Sequence, residues 1–137
     1  MRNMILASLL LLMAVGARAQ NTETVPATRV ALNSGEEAYF TLADGSWFRL
    51  ACQFGDGWLY AADNSVLASF HIPANACVST WAGDHTYVTT TVNGPLTVDA
   101  THTVDVASWT ARRTARSGRG GGYSYTLVSG HGTVTVD

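Results

Sequence analysis

The chain has 137 residues, 47% of them hydrophobic and 13% charged, with a formal net charge of −2. That length suits one domain with a sizeable core rather than several. All eight basic residues are arginine, set against ten acids, and this balance excludes a general nucleic-acid binder, which carries a basic excess.

The N-terminus reads as an export signal. Arg2 supplies a positive charge, Met4 to Val15 is apolar except for Ser8, and Ala17-Arg18-Ala19 is small at the positions a signal peptidase requires. The apolar run is well short of the roughly 20 residues that span a bilayer. No cysteine follows it to carry a lipid anchor. A cleavable signal peptide is therefore expected over residues 1–19, with a single secreted or periplasmic β-domain over residues 20–137. No membrane span is expected after cleavage. That domain keeps six arginines against ten acids, a net charge of about −4.

Residues 20–27 read as a loose lead-in. Threonine, valine and aromatic residues then recur at period two, with turn residues arriving every few positions, the pattern of an all-β chain. Strands are expected near 27–32, 37–42, 46–54, 58–62, 66–71, 77–81, 85–92, 96–100, 102–112, 122–128 and 132–136. Asp44-Gly45, Asp56-Gly57, Asn93-Gly94-Pro95 and Gly120-Gly121-Gly122 are the clearest turn marks. Only the 60–69 segment has room for a short helix. So many short strands predict a small antiparallel β-sandwich or barrel.

Cys52 and Cys77 are the two cysteines. An even count in an exported chain is read first as a disulfide. A thiol or metal site would need a C-x-x-C or a His–Cys cluster, and the sequence has neither. His71, His85, His102 and His131 are too far apart for a local ligand motif, so no metal and no cofactor is expected.

Alternation assigns the faces. In 46–54, Phe48, Leu50, Cys52 and Phe54 share one face, and Trp47, Arg49, Ala51 and Gln53 the other. In 85–92, Val88 and Val92 point inward, leaving Tyr87, Thr89 and Thr91 outside. In 102–109, Val104 and Val106 share a face opposite Asp105 and Trp109. These registers put Trp47, Tyr87 and Trp109 on polar faces, beside residues such as Arg49. Rings beside polar groups suit a glycan, stacking on the sugar while their neighbours take its hydroxyls. A bulge that flips a strand would instead bury the tryptophans.

Arg112, Arg113, Arg116 and Arg119 crowd a segment that ends in glycines. It reads as an exposed hairpin connection over 114–121, which either serves solubility or meets an acidic partner. Enzyme signatures are lacking. Gly122-Tyr123-Ser124 begins a nucleophile elbow, but Thr126 occupies the second glycine's place. Glu36-Glu37 points to opposite faces of a strand and is no glycosidase pair.

The leading expectation is a non-catalytic module that binds a surface partner, glycan or acidic cell-envelope material first, a protein second. Three alternatives stand beside it. One is an inhibitor of an exported enzyme inserting the Arg112–Gly122 loop. Another is a fibre subunit assembling by strand addition through Thr28–Leu32 or an exposed edge. The last is a small hydrolase built from dispersed Ser, His and Asp residues.

Overall fold

The computed structural model describes residues 20–137, and the expected signal peptide lies outside the described residues. Nine strands form the domain. They are β1 (Asn21–Ala31), β2 (Ser34–Thr41), β3 (Trp47–Ala51), β4 (Asp56–Tyr60) and β5 (Val66–His71), then β6 (Cys77–Trp81), β7 (Tyr87–Thr97), β8 (His102–Ala115) and β9 (Tyr123–Val136). All pair antiparallel in the order β5-β4-β3-β2-β1-β9-β8-β7-β6. Sequence neighbours thus pair throughout, except at β5 and β6, which are the two edges. A single 3-10 turn, Ala74–Ala76, links those edge strands.

The two runs of strands are joined through β1. Its first half, Asn21–Pro26, pairs with β9, and its second half, Ala27–Ala31, pairs with β2 across a register shift between Ala27 and Arg29. The apolar sides of the two runs pack on each other, with β2 against β8. Alternation in β2 and β3 turns Phe40 and Phe48 inward as direct cross-strand partners, with rings stacked at 4.7 Å. Trp109 of β8 meets Phe40 edge-on at 5.7 Å. Val25, Leu50, Leu59, Val88, Val92 and Val134 fill the space around them. The Cys52–Cys77 disulfide ties the end of β3 to the start of β6, with Cα atoms 6.1 Å apart. Nearby, the Ser79 hydroxyl of β6 donates to Glu36 of β2 at 2.7 Å.

Several expectations change in three dimensions. The lead-in at 20–27 is strand, because Asn21–Pro26 gains a complete partner in the C-terminal half of β9. The segments 85–92 and 96–100 are one strand, β7. Gly94-Pro95 is not a turn but a cis peptide within it, beside a register shift. Likewise 122–128 and 132–136 merge into β9. The 60–69 segment holds no helix; Ala61–Ser65 is a turn, closed by Ala61 N–H donating to the Ser65 carbonyl at 2.9 Å. Phe54, expected to face the core, is 65% exposed because β3 ends at Ala51 and the chain turns there.

The largest correction concerns Trp109. Opposite β9, Val104 pairs with Val134 and Val106 with Thr133, so Asp105 is an extra, bulged residue. The bulge reverses the alternation beyond it. Val106 turns outward, while Ala107, Trp109 and Ala111 are buried. Trp109 is 1% exposed, and its indole N–H donates to the Gly35 carbonyl at 2.8 Å. Gly130, its partner on β9, leaves room for it: a Cβ there would lie 2.5 Å from the Trp109 Cβ. Trp109 is core and has no place on a binding face.

Candidate functional site

The outward face of β1–β4 carries the most ordered set of polar and aromatic side chains. Register builds it in two rows. Arg29, Tyr39, Arg49 and Trp58 are successive cross-strand partners on β1, β2, β3 and β4. Cations and rings therefore alternate along this row. The Arg29 guanidinium lies 4.0 Å from the Tyr39 ring centre, and that of Arg49 lies 6.0 Å from Tyr39 and 4.5 Å from Trp58. The second row is Thr41, Trp47 and Tyr60. Trp47 stacks on Tyr60 at 4.0 Å between ring centres and leans towards Tyr39 at 5.9 Å.

Glu37 anchors the first row. It is nearly buried although it sits on the outward side of β2. Its Oε2 accepts from Arg49 Nε and from the Tyr39 hydroxyl, both at 2.9 Å, and its Oε1 accepts from the Gln53 amide at 2.9 Å. Burial, together with the bond to Glu37 and its negative charge, pushes the Tyr39 hydroxyl above its ordinary pKa. Tyr39 is therefore a neutral donor at physiological pH.

Two hollows flank this platform. One, of about 230 Å³, is lined by Thr28, Arg29, Tyr39, Thr41, Trp47 and Asn64. The other, of about 430 Å³, is lined by Asn33, Ser34, Glu37, Arg49, Gln53 and Phe54. In the first hollow, hydroxyls, an amide and a guanidinium surround two ring systems. Asn64 closes it from the β4–β5 turn, accepting from the Trp47 indole N–H at 3.2 Å.

The expected binding residues divide among four places. Trp47 and Arg49 share the outward face of β3, as alternation predicted. Tyr87 is exposed on β7, opposite Arg112 of β8, on the other half of the sheet. Trp109 is in the core. Arg113 is half-buried on β8, while Arg116 and Arg119 lie in the exposed β8–β9 connection. The expected hairpin loop is thus present, but two of its four arginines belong to a strand. Arg29, Tyr39, Trp58, Tyr60 and Asn64 were not singled out in the sequence. Alternation alone places Trp58 and Tyr60 opposite Leu59, and Tyr39 opposite Phe40. Their convergence with Trp47 depends on strand order.

Asp99 and His102 form a second polar group, with Nδ1 to Oδ1 at 2.9 Å. The same Asp99 oxygen accepts from the backbone N–H groups of Thr101 at 2.9 Å and His102 at 2.7 Å. The carboxylate thus closes the β7–β8 turn. Among the described residues no three His, Cys, Asp or Glu side chains are placed to share a metal ion. No helix among them is long and apolar enough to cross a membrane.

Fold and site together define a disulfide-tied antiparallel β-domain bearing an outward platform of alternating rings and guanidinium groups. Comparison with protein-family models, with curated proteins and with solved structures returned no match.

Proposed function

We infer that the domain is an exported, non-catalytic glycan-binding module of the two-layer sandwich type, with the outward face of β1–β4 as its binding surface. The observation that carries this reading is the hollow between Tyr39 and Trp47, rimmed by Thr28, Thr41, Asn64 and Arg29. A pyranose offers an apolar C–H face and a rim of hydroxyls. Half-exposed rings meet the first, while hydroxyl, amide and guanidinium groups meet the second. The Glu37 network holds Arg49, and through it Tyr39 and Trp58, in place before any ligand arrives. Less ordering entropy is then lost on binding. The disulfide accords with an oxidising compartment outside the cytoplasm.

Titration of the disulfide-intact domain against neutral polysaccharides, followed by tryptophan fluorescence and calorimetry, tests this reading. Trp47→Ala is expected to weaken binding by about 1–3 kcal/mol, by analogy with stacking on aromatic side chains. Saccharide binding that survives both Trp47→Ala and Tyr39→Ala would place the site elsewhere. No saccharide binding at all would end the reading.

One observation favours a second reading, assembly by strand addition. Neither edge strand contains Asp, Glu, Lys, Arg or Pro, and both expose apolar side chains: Val66 at 60%, Leu67 at 55% and Val78 at 51%. Edges are usually blunted by charge or proline against such pairing. Thr28–Leu32 is not such an edge, since β1 lies between β2 and β9. Sedimentation over a wide concentration range distinguishes the readings, with Val66→Lys and Val78→Lys together, one on each edge, expected to abolish any self-association.

A further inference from the structure

The four clustered arginines have no carboxylate partner among the described residues. Arg49 is paired with Glu37, and Arg29 lies against Tyr39. Neither the Arg49–Glu37 ion pair nor the His102–Asp99 contact involves Arg112, Arg113, Arg116 or Arg119. These four concentrate positive charge at one end of a domain whose acids outnumber its arginines.

Arg113 is the most constrained. Its guanidinium lies 4.0 Å from the Tyr123 ring centre and 4.9 Å from that of Trp81, and Trp81 also stacks with His85 at 5.8 Å. A guanidinium held against rings can still offer its N–H donors to an acceptor. No carboxylate or carbonyl of the described residues accepts from that edge. Arg113 is thus a planar donor fork, held by two rings and aimed at no protein acceptor. Beyond it, the connection turns through Gly118, Gly120, Gly121 and Gly122, all at φ between 54° and 99°, and no neighbouring side chain crowds them. Arg116 and Arg119 project from this open turn.

We propose that the β8–β9 hairpin end, centred on Arg113 between Trp81 and Tyr123, is a second binding site, and that its ligand is an acidic polysaccharide. The need for anionic groups follows from the unpaired forks, which match carboxylate, sulfate and phosphate oxygens. Two other polyanions fit less well. A single-stranded nucleic acid would bind by stacking its bases on the rings, and here Arg113 already lies against both rings while His85 stacks on Trp81. An acidic protein would need a well-packed anchor at the centre of its interface, and Trp81 and Tyr123, the rings exposed here, already pack on Arg113 beside an open glycine turn. A hydrated chain with charges at intervals needs neither. This site is separate from the β1–β4 platform, and each can fail without the other.

The test uses the disulfide-intact domain with dextran sulfate, polygalacturonate and a polyol-phosphate polymer as probes, and neutral dextran, poly-glutamate and oligothymidylate as comparisons. At least one acidic polysaccharide is expected to bind more tightly than every comparison, with affinity falling steeply as salt rises. Which one binds best tells sulfate, carboxylate and phosphodiester sources apart. Arg113→Gln is expected to weaken that binding by on the order of tenfold, and Arg113→Lys to restore little, because an ammonium has no planar fork. Should Arg113→Gln fold poorly, Arg116→Gln with Arg119→Gln tests the same site on exposed turn residues and is expected to reduce affinity at an unchanged melting temperature. Equal binding by wild type and all these variants would overturn the proposal. Tighter binding of oligothymidylate or poly-glutamate than of any acidic polysaccharide would overturn the ligand class. Neutral-glycan binding at Trp47 should be unaffected throughout, which separates this outcome from failure of the platform.

Discussion

Arg49 and Glu37 are joined at 2.9 Å, Nε to Oε2, on the outward side of the sheet, with side chains 27% and 6% exposed. A carboxylate so little hydrated is stable only when its acceptor capacity is filled, and Tyr39 and Gln53 complete it. The pair therefore sets the geometry of the platform as well as contributing to stability. Glu37→Ala would leave three donors without their acceptor. It is expected to destabilise the domain by about 2–3 kcal/mol in denaturant unfolding. A double-mutant cycle with Arg49→Met should give a coupling of about 1 kcal/mol, since Arg49 keeps some contact with water. Near-ultraviolet circular dichroism should change with either single variant as Arg49 leaves Trp58.

The two tryptophans expected to share an exposed role should respond differently to truncation. Trp109→Ala is expected to cost about 3–5 kcal/mol, because it opens a cavity between the two halves of the sheet. Trp109→Phe keeps most of the packing but strands the Gly35 carbonyl, an expected loss of about 1–3 kcal/mol. Trp47→Ala should cost about 1 kcal/mol, the scale of its stack on Tyr60. Equal losses at the two positions would contradict their different burial.

The Cys52–Cys77 bond closes a separation of 25 residues between the two halves of the sheet. Replacing both cysteines with alanine is expected to lower stability by about 3.5 kcal/mol in the chain-entropy account. Thiol titration of the denatured, unreduced protein should find no free cysteine.

Gly57 on β4 faces Phe70 on the edge strand β5, and the Phe70 ring lies where a Cβ at Gly57 would stand. Gly57→Val should expel that ring and cost about 1–3 kcal/mol. Hydrogen exchange should then show β5 losing protection while β8 and β9 keep theirs.

Asp99 should make the β7–β8 turn acid-sensitive. Burial alone would raise its pKa, but hydrogen bonds from Thr101 and His102 and the nearby His102 side chain outweigh burial and hold it below the ordinary value of 3.8. A carboxylate depressed in the folded state stabilises the fold above its unfolded pKa, and this contribution fades as pH falls through the folded one. Asp99→Asn is expected to be less stable than wild type by about 1 kcal/mol at neutral pH. Denaturation series from pH 7 down to about 2 should show the difference begin to shrink at about pH 4 and vanish as pH falls through the lowered pKa of Asp99.

Much of the fold was legible because alternation is a local property. Phe48 and Leu50 inward with Trp47 and Arg49 outward, and Val88 and Val92 inward with Tyr87 outward, follow from period two alone. So does the all-β class, from β-branched residues punctuated by turn residues. The Cys52–Cys77 pairing followed from there being no other partner. What alternation does not encode is an interruption of itself. At Asp105 the register of β8 against β9 gains one residue, opposite an irregularity in β7, and that one inserted residue moves Trp109 from the surface to the core. The platform was hidden for a related reason. Tyr39, Arg49 and Trp58 are far apart in sequence, and only the strand order β4-β3-β2 sets them side by side at the spacing of neighbouring strands. The sequence by itself determined which residues each strand offers to its two faces. Tertiary structure decided which faces meet, because cross-strand register and the packing of one run of strands on the other depend on contacts between distant segments.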